Sequence, residues 1–258
     1  MKLLFYKFQG TGNDFIMIDN RNKNIQLSEY QISRLCDRRY GVGADGCIFL
    51  ENDSQVDFLM RYYNSDGKLG SFCGNGGRSI VIFSKMLGLV SKKCQFRAID
   101  GLHFATCNDD GFVSLKMNDV KLPKKYNNGW LLDTGSPHLV FFKDSIDDID
   151  VLKLGASIRY SDFFLDKGVN INFVSQKSNS FYLRTYERGI EDETLACGTG
   201  ATAVALVACS QNLFTGNNVK INTLGGQLEI SFRKKNKGFT DVYLKGVAKF
   251  IFKGEIDV

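Results

Sequence analysis

The chain repeats itself at long range, and that repeat limits what it can fold into. Phe72-Cys73-Gly74-Asn75-Gly76-Gly77 stands before an apolar run that reads as a helix. Ala196-Cys197-Gly198-Thr199-Gly200 stands before another, 124 positions further on (197 − 73). The same offset lays Gly46-Cys47-Ile48-Phe49 on Asn170-Ile171-Asn172-Phe173, Arg61 to Asn64 on Thr185 to Arg188, and Ile99-Asp100-Gly101 on Thr223-Leu224-Gly225. Gly12 before Asn13-Asp14-Phe15 falls within one position of Gly135 before Ser136-Pro137-His138. A constant offset without a large gap requires two halves of similar build. A chain of 258 residues fits one large domain or two ordinary ones, and the repeat decides for two. The polar connection 118–129, with Pro123, a lysine pair and Asn127-Asn128-Gly129, marks the boundary.

Within each half, short strands alternate with a few helices. Leu3 to Phe8 and Asp14 to Ile18 read as strands around a glycine turn, and Ser28 reads as the N-cap of a helix through Arg38. Cys47 to Leu50 and Val56 to Tyr63 read as strands, followed by a turn at Asn64-Ser65-Asp66-Gly67. The helix after Cys73 runs to Met86 and closes at Gly88; strands occupy Phe96 to Lys116, and a last strand spans Val247 to Ile256. Strands with one main buried helix per half predict an α+β fold with a mostly antiparallel sheet. The glycines at Gly41-Val42-Gly43 match neither dinucleotide nor P-loop spacing, so tight-turn geometry accounts for them.

Composition removes several classes of function. The net charge of +5 is scattered, with no basic stripe of the kind nucleic acid requires. No apolar run approaches membrane-spanning length, and Met1 to Lys7 does not read as a signal peptide. Seven cysteines lacking C-x-x-C pairs, beside only two histidines, argue against a metal site and for a reduced protein. Cys36, Cys47, Cys94, Cys107 and Cys209 sit in apolar or strand-like settings and read as small buried hydrophobes. Cys73 and Cys197 differ from these. A thiol at a helix start faces unpaired N–H groups and the positive end of the helix dipole, which favours thiolate. Two such thiols suggest an acid and a base.

These motifs, spread along nearly the whole chain, resemble diaminopimelate epimerase: Lys7 to Phe15, Asp37 to Gly46, Tyr63 to Gly67, Phe72 to Arg78, Gly135 to His138, Asn170 to Phe173, Tyr186 to Gly189 and Cys197 to Gly200. The paired cysteine loops alone would fit the wider superfamily that includes proline racemases. The resemblance implies two similar pseudo-symmetric domains, each a mostly antiparallel sheet wrapped around a central helix, with the active site in the cleft between them. It implies an N-terminal domain of residues 1–117 plus 248–258 and a second of residues 118–247. It also implies interconversion of LL- and meso-2,6-diaminopimelate without cofactor or metal, in lysine and peptidoglycan-precursor biosynthesis, by a cytoplasmic homodimer with no nucleic-acid or membrane partner. Cys73 and Cys197 would be the acid–base pair. Asn13, Asn64, Asn170, Glu187 and Arg188 match substrate-binding positions, as do the backbone N–H groups of Gly74-Asn75 and Gly198-Thr199.

Three departures stand out. Ser136 replaces a common asparagine, Gln9 a frequent histidine, and 189–194 is one residue longer than the commonest form. Glu187 and Arg188 could instead form a surface ion pair. His138 reads equally as structural or catalytic, and Arg78 reads as a snorkelling surface residue. Three other functions remain open on sequence: a racemase of another amino acid, a thiol redox or metal-binding protein, and a pyridoxal enzyme.

Overall fold

A computed structural model describes residues 1–178 and 180–258. The chain divides into two compact units, Met1–Leu115 with Gly246–Val258, and Lys116–Lys245.

The first unit opens with a hairpin of β1 (Lys2–Gly10) and β2 (Asn13–Asp19), turning at Thr11-Gly12. α1 (Glu29–Cys36) leads to β3 (Gly46–Glu51), which lies parallel to β2, and β4 (Phe58–Asn64) returns antiparallel to β3. α2 (Gly74–Met86) crosses to β5 (Lys93–Ala98), parallel to β4; β6 (Gly101–Cys107) and β7 (Phe112–Lys116) complete a meander. Local chemistry explains the helix ends. Ser28 and Gln31 form a reciprocal capping box on α1. α2 stops where Gly88 takes φ +76° and Leu89 N–H bonds back to the Ser84 carbonyl. β3 is buried along its whole length, which accounts for its unbroken Cys-Ile-Phe-Leu run.

The second unit begins with the short β8 (Val120–Lys121) and β9 (Lys124–Tyr126) and then repeats the plan. β10 (Gly129–Asp133) and β11 (Pro137–Phe142) form the hairpin; α3 (Val151–Arg159) leads to β12 (Asn170–Lys177), parallel to β11. β13 (Ser180–Glu187) is antiparallel to β12, and β14 (Asp192–Thr194) folds back on it. α4 (Gly198–Ser210) crosses to β15 (Asn218–Thr223), parallel to β13, followed by β16 (Gly226–Lys235) and β17 (Gly238–Asp257). From Gly246 onward β17 belongs to the first unit, where from Ala248 it pairs antiparallel with β1.

Each unit is thus α+β, mostly antiparallel, with two parallel pairs made by helical crossovers. The inner helices are the core. α2 packs on β1, β2, β3, β4 and β6, and α4 on β10, β11, β12, β13, β15 and β16. From Ala201 to Ala208, α4 is wholly buried, so its side chains are apolar apart from Thr202, whose hydroxyl bonds back to the Gly198 carbonyl. The connection 118–129 is not bare linker: it contributes β8, which pairs with β17, and β9, which pairs with β10. The repeat also slips by one residue between the third and fourth strands. Cys47 pairs with Tyr63 and Ile171 with Tyr186, so the ladder aligns Tyr63 with Tyr186, whereas the constant offset aligned it with Glu187.

Candidate active site

In each unit the starts of the parallel strands, the end of the antiparallel strand and the start of the inner helix lie at one end of the sheet. That topology gathers Asn13, Asn64 and Cys73 in the first unit. In the second it gathers His138, Asn170, Glu187 and Cys197.

Cys73 is the N-cap of α2, with extended backbone, and its sulfur accepts from the Gly76 N–H at 3.5 Å. The first turn of α2 is glycine-rich because it is crowded. A Cβ on Gly77 would meet the Phe72 ring at 2.7 Å, and one on Gly76 would meet Ile48 Cδ1 at 2.9 Å. Asn75 is buried; its Nδ2 donates to Asn13 Oδ1, and its Oδ1 accepts from Arg78 Nη2 at 2.8 Å. Asn13 Nδ2 donates to Asp45 Oδ2 at 3.0 Å, and Arg38 holds Asp45 and Asp14 together at 2.8 and 2.7 Å. Lys7 reaches Asp14 at 2.7 Å. Although burial alone would raise the Asp14 carboxyl, bonds from Arg38 and Lys7 bring it down to about 2. Asn64 ends β4, its backbone N–H bonding the Lys68 carbonyl and its side chain lying over Gly70.

Arg78 corrects the sequence reading. It does not snorkel: it is fully buried and donates to Thr11 Oγ1 at 2.7 Å, Asn75 Oδ1 at 2.8 Å and the Gly74 carbonyl at 3.3 Å.

Cys197 caps α4 with the same extended backbone, and its sulfur lies 3.4 Å from Thr199 Oγ1. His138 is fully buried with Nε2 2.9 Å from that same hydroxyl. The tautomer follows from its other neighbour. Asn172 Nδ2 faces the Leu139 and Asn170 carbonyls at 3.2 Å, which only accept, so the atom is the amide nitrogen. It donates to His138 Nδ1 at 3.1 Å, so Nε2 carries the hydrogen and donates to Thr199. Thr185 completes the set by donating to Asn172 Oδ1 at 3.1 Å. Burial pushes the imidazole down to about 3, so it is neutral at ordinary pH. His138 therefore orients the Thr199 hydroxyl, which can donate to a Cys197 thiolate or accept from its thiol.

Asn170 is buried and its amide is occupied by the protein. Nδ2 donates to Ser136 Oγ at 2.8 Å and to the Pro137 carbonyl at 3.0 Å, and Oδ1 accepts the Arg188 N–H at 2.9 Å. Ser136 thus meets Asn170 directly. Glu187 Oε2 accepts from Thr194 at 3.0 Å, while the exposed Arg188 donates from Nη1 to the Lys167 carbonyl at 2.7 Å. Gly198 and Thr199 open α4 with N–H groups of the kind a helix leaves without intrahelical partners. In the segment 189–194 the Glu191 carboxylate takes the Gly189 N–H and the Tyr186 hydroxyl, and the segment ends in β14.

The remaining cysteines behave as the sequence suggested. All five are buried, and burial pushes Cys36 and Cys94 up to about 12. Among the described residues no group of three potential metal ligands occurs, and no helix is long and apolar enough to cross a membrane.

The family model of diaminopimelate epimerase matches residues 5–123 and 130–251. The chain belongs to the diaminopimelate epimerase family. It is 52% identical to a diaminopimelate epimerase of Flavobacterium psychrophilum over 99% of this chain and 100% of that one. It is 36% identical to one of Aquifex aeolicus, over 98% and 97%. Among solved structures, a phenazine biosynthesis protein of the PhzF family from Bacillus anthracis superposes with a TM-score of 0.79 at 12% identity, covering all of both chains. A probable proline racemase from Agrobacterium radiobacter gives 0.70 at 11% identity, over 99% of this chain and 93% of that one. These two likenesses concern the fold alone.

Proposed function

We propose that the chain interconverts LL- and meso-2,6-diaminopimelate without a cofactor, using Cys73 and Cys197 as base and acid. One observation carries the reading. A member of this family, aligned over the whole of a 52%-identical relative, sets a cysteine at the N-cap of the buried helix in each of its two repeated units.

Inversion requires removing a weakly acidic α-hydrogen from one face and delivering a hydrogen to the other. In this reading one cysteine is thiolate and accepts the proton, while the other is thiol and donates. The roles exchange with the direction of reaction, and the two thiols titrate as a pair. The carbanion's charge spreads into the α-carboxylate, for which the N–H groups of Gly74-Asn75 and Gly198-Thr199 are suitable donors. Asn13 and Asn64 offer amides to the polar end groups of the substrate. Arg188 suits the distal carboxylate through its planar fork, and Glu187 suits the distal ammonium. Asn170 contributes through what it holds, Ser136 and the Arg188 backbone. We extend the proposal to a cytoplasmic homodimer, checked by light scattering, acting in lysine and peptidoglycan-precursor synthesis.

The test is incubation with LL-diaminopimelate in deuterated water. Deuterium at one α-carbon and formation of the meso isomer are expected. Comparable turnover of another amino acid would move the assignment to a racemase. No turnover by folded protein would end the enzymatic reading.

A further inference from the structure

Arg78 has an environment a guanidinium seldom tolerates. It is fully buried, and its hydrogen bonds go to the neutral oxygens of Thr11, Asn75 and Gly74. Its Nε is buried without a hydrogen-bond partner, and among the described residues no carboxylate pairs with it. A buried cation left without an anion is costly. Burial lowers Arg78 to about 10, which still leaves it charged at neutral pH, and the titratable group its charge couples to is Cys73.

The other charged groups on the strands packed against α2 are engaged elsewhere. Lys7 and Arg38 hold Asp14, Arg61 holds Glu51, Arg21 holds Asp19 and Asp100 holds His103. Lys2 lies at the exposed start of β1, and Tyr6, Tyr62, Tyr63, Cys47 and Cys107 are phenols and thiols. The second unit offers the control. The position equivalent to Arg78 is Thr202, fully buried, whose hydroxyl donates to the Gly198 carbonyl at 2.9 Å as Arg78 donates to the Gly74 carbonyl. One inner helix therefore carries a fixed positive charge one turn inside its cysteine cap, whereas the other carries a neutral hydroxyl there. The charged groups on the packed strand nearest the start of α4 are Glu187, bonded to Thr194, and the exposed Arg188, bonded to the Lys167 carbonyl.

We infer that Arg78 makes Cys73 the resting thiolate of the pair and leaves Cys197 the resting thiol. Arg78 is a positioning residue for charge, acting through Cys73. In the free enzyme the Cys73 thiolate then takes the α-hydrogen as a proton and becomes a thiol. The Cys197 thiol gives its proton to the opposite face and becomes thiolate. The pair is restored by turnover in reverse or by proton exchange with water. The isomer whose α-hydrogen faces Cys73 meets a ready base.

The inference rests on the two-cysteine reading, but its test needs no turnover. Iodoacetamide modification of Cys73 and Cys197, read peptide by peptide across pH, gives a midpoint for each sulfur. In the unaltered protein the Cys73 midpoint should lie at least about one pH unit below that of Cys197. Arg78→Gln should raise the Cys73 midpoint and slow its modification at pH 7 about tenfold, move the Cys197 midpoint less and in the opposite direction, and be rescued by Arg78→Lys. A merely structural Arg78 would leave the Cys73 midpoint unmoved in folded Arg78→Gln protein, which overturns the inference. So does a Cys197 midpoint at or below that of Cys73 in the unaltered protein, a comparison that stands even if the variant does not fold. Loss of deuterium exchange with the midpoints as stated would instead count against the epimerase reading alone.

Discussion

α2 and α4 are one helix built twice, each of 13 residues with a cysteine cap and a glycine-opened first turn, yet their surroundings differ in kind. Around α2 the polar groups are charged and linked. Arg38, Asp45, Asn13, Asn75 and Arg78 form a continuous chain of contacts leading to the helix start. Around α4 the groups that pass hydrogen bonds toward Cys197, namely Thr185, Asn172, His138 and Thr199, carry no formal charge, and the charged Glu187 and Arg188 stand beside them at the end of β13. The comparison teaches how a symmetric scaffold can hold an asymmetric pair. A fixed charge favours one protonation state of its neighbour, whereas a hydroxyl serves both.

Removing either sulfur has the largest expected effect. Cys73→Ser and Cys197→Ser should each lower epimerisation by about 10²- to 10⁴-fold, since a hydroxyl is a far poorer acid and base than a thiol. Steady-state rates with both isomers check it, and a near-normal rate for either variant contradicts the pairing. A smaller loss is expected from Thr199→Val, which removes the hydroxyl beside Cys197 but no thiol: about tenfold in kcat, with the Cys197 alkylation midpoint moved more than that of Cys73. A larger shift at Cys73 than at Cys197 would contradict Thr199 acting on Cys197.

Acid should separate the units next. His138 is held neutral, with its folded value near 3 against an ordinary 6.5, so between those values the unfolded chain binds more protons and stability falls as pH drops. Asp14, near 2 against 3.8, supplies stability that persists above 3.8 and is lost only below it. The decline in Tm from pH 7 to pH 5 should therefore be reduced in His138→Gln and unchanged in Asp14→Asn. Equal declines in all three proteins would refute the assignment. The smallest effect compares equivalent glycines. A Cβ on Gly200 would meet Asn172 Oδ1 at 2.6 Å, an amide pinned by Thr185, Leu139 and Asn170, whereas one on Gly76 meets the flexible tips of Ile48 at 2.9 Å and Met60 at 3.3 Å. Gly200→Ala should cost about 1–3 kcal/mol and Gly76→Ala less, as measured by urea unfolding.

The repeat made the build of the two halves legible in the sequence, because equal spacing of cysteine, glycine turn and apolar run survives divergence of every other residue. The capped α1, the cysteine-tipped helices and the closing glycine at Gly88 followed from local chemistry. What stayed hidden depends on tertiary partners. Nothing local distinguishes Arg78 from a surface arginine, since its burial is created by Thr11 and Asn75, one of them 67 positions away. Asn172 lies within the Asn170 to Phe173 motif, but its role depends on two backbone carbonyls and a threonine brought beside it by the sheet. β14 is three residues long, too short a stretch for any periodicity.

The most direct test of two thiols serving opposite faces is α-hydrogen exchange by the single-cysteine variants with each stereoisomer separately. Cys73→Ser and Cys197→Ser should each exchange one isomer in deuterated water and not the other, in opposite senses, while substrate binding changes little. If one variant is inactive toward both isomers and the other is nearly normal, a single base does the chemistry and the paired mechanism is wrong.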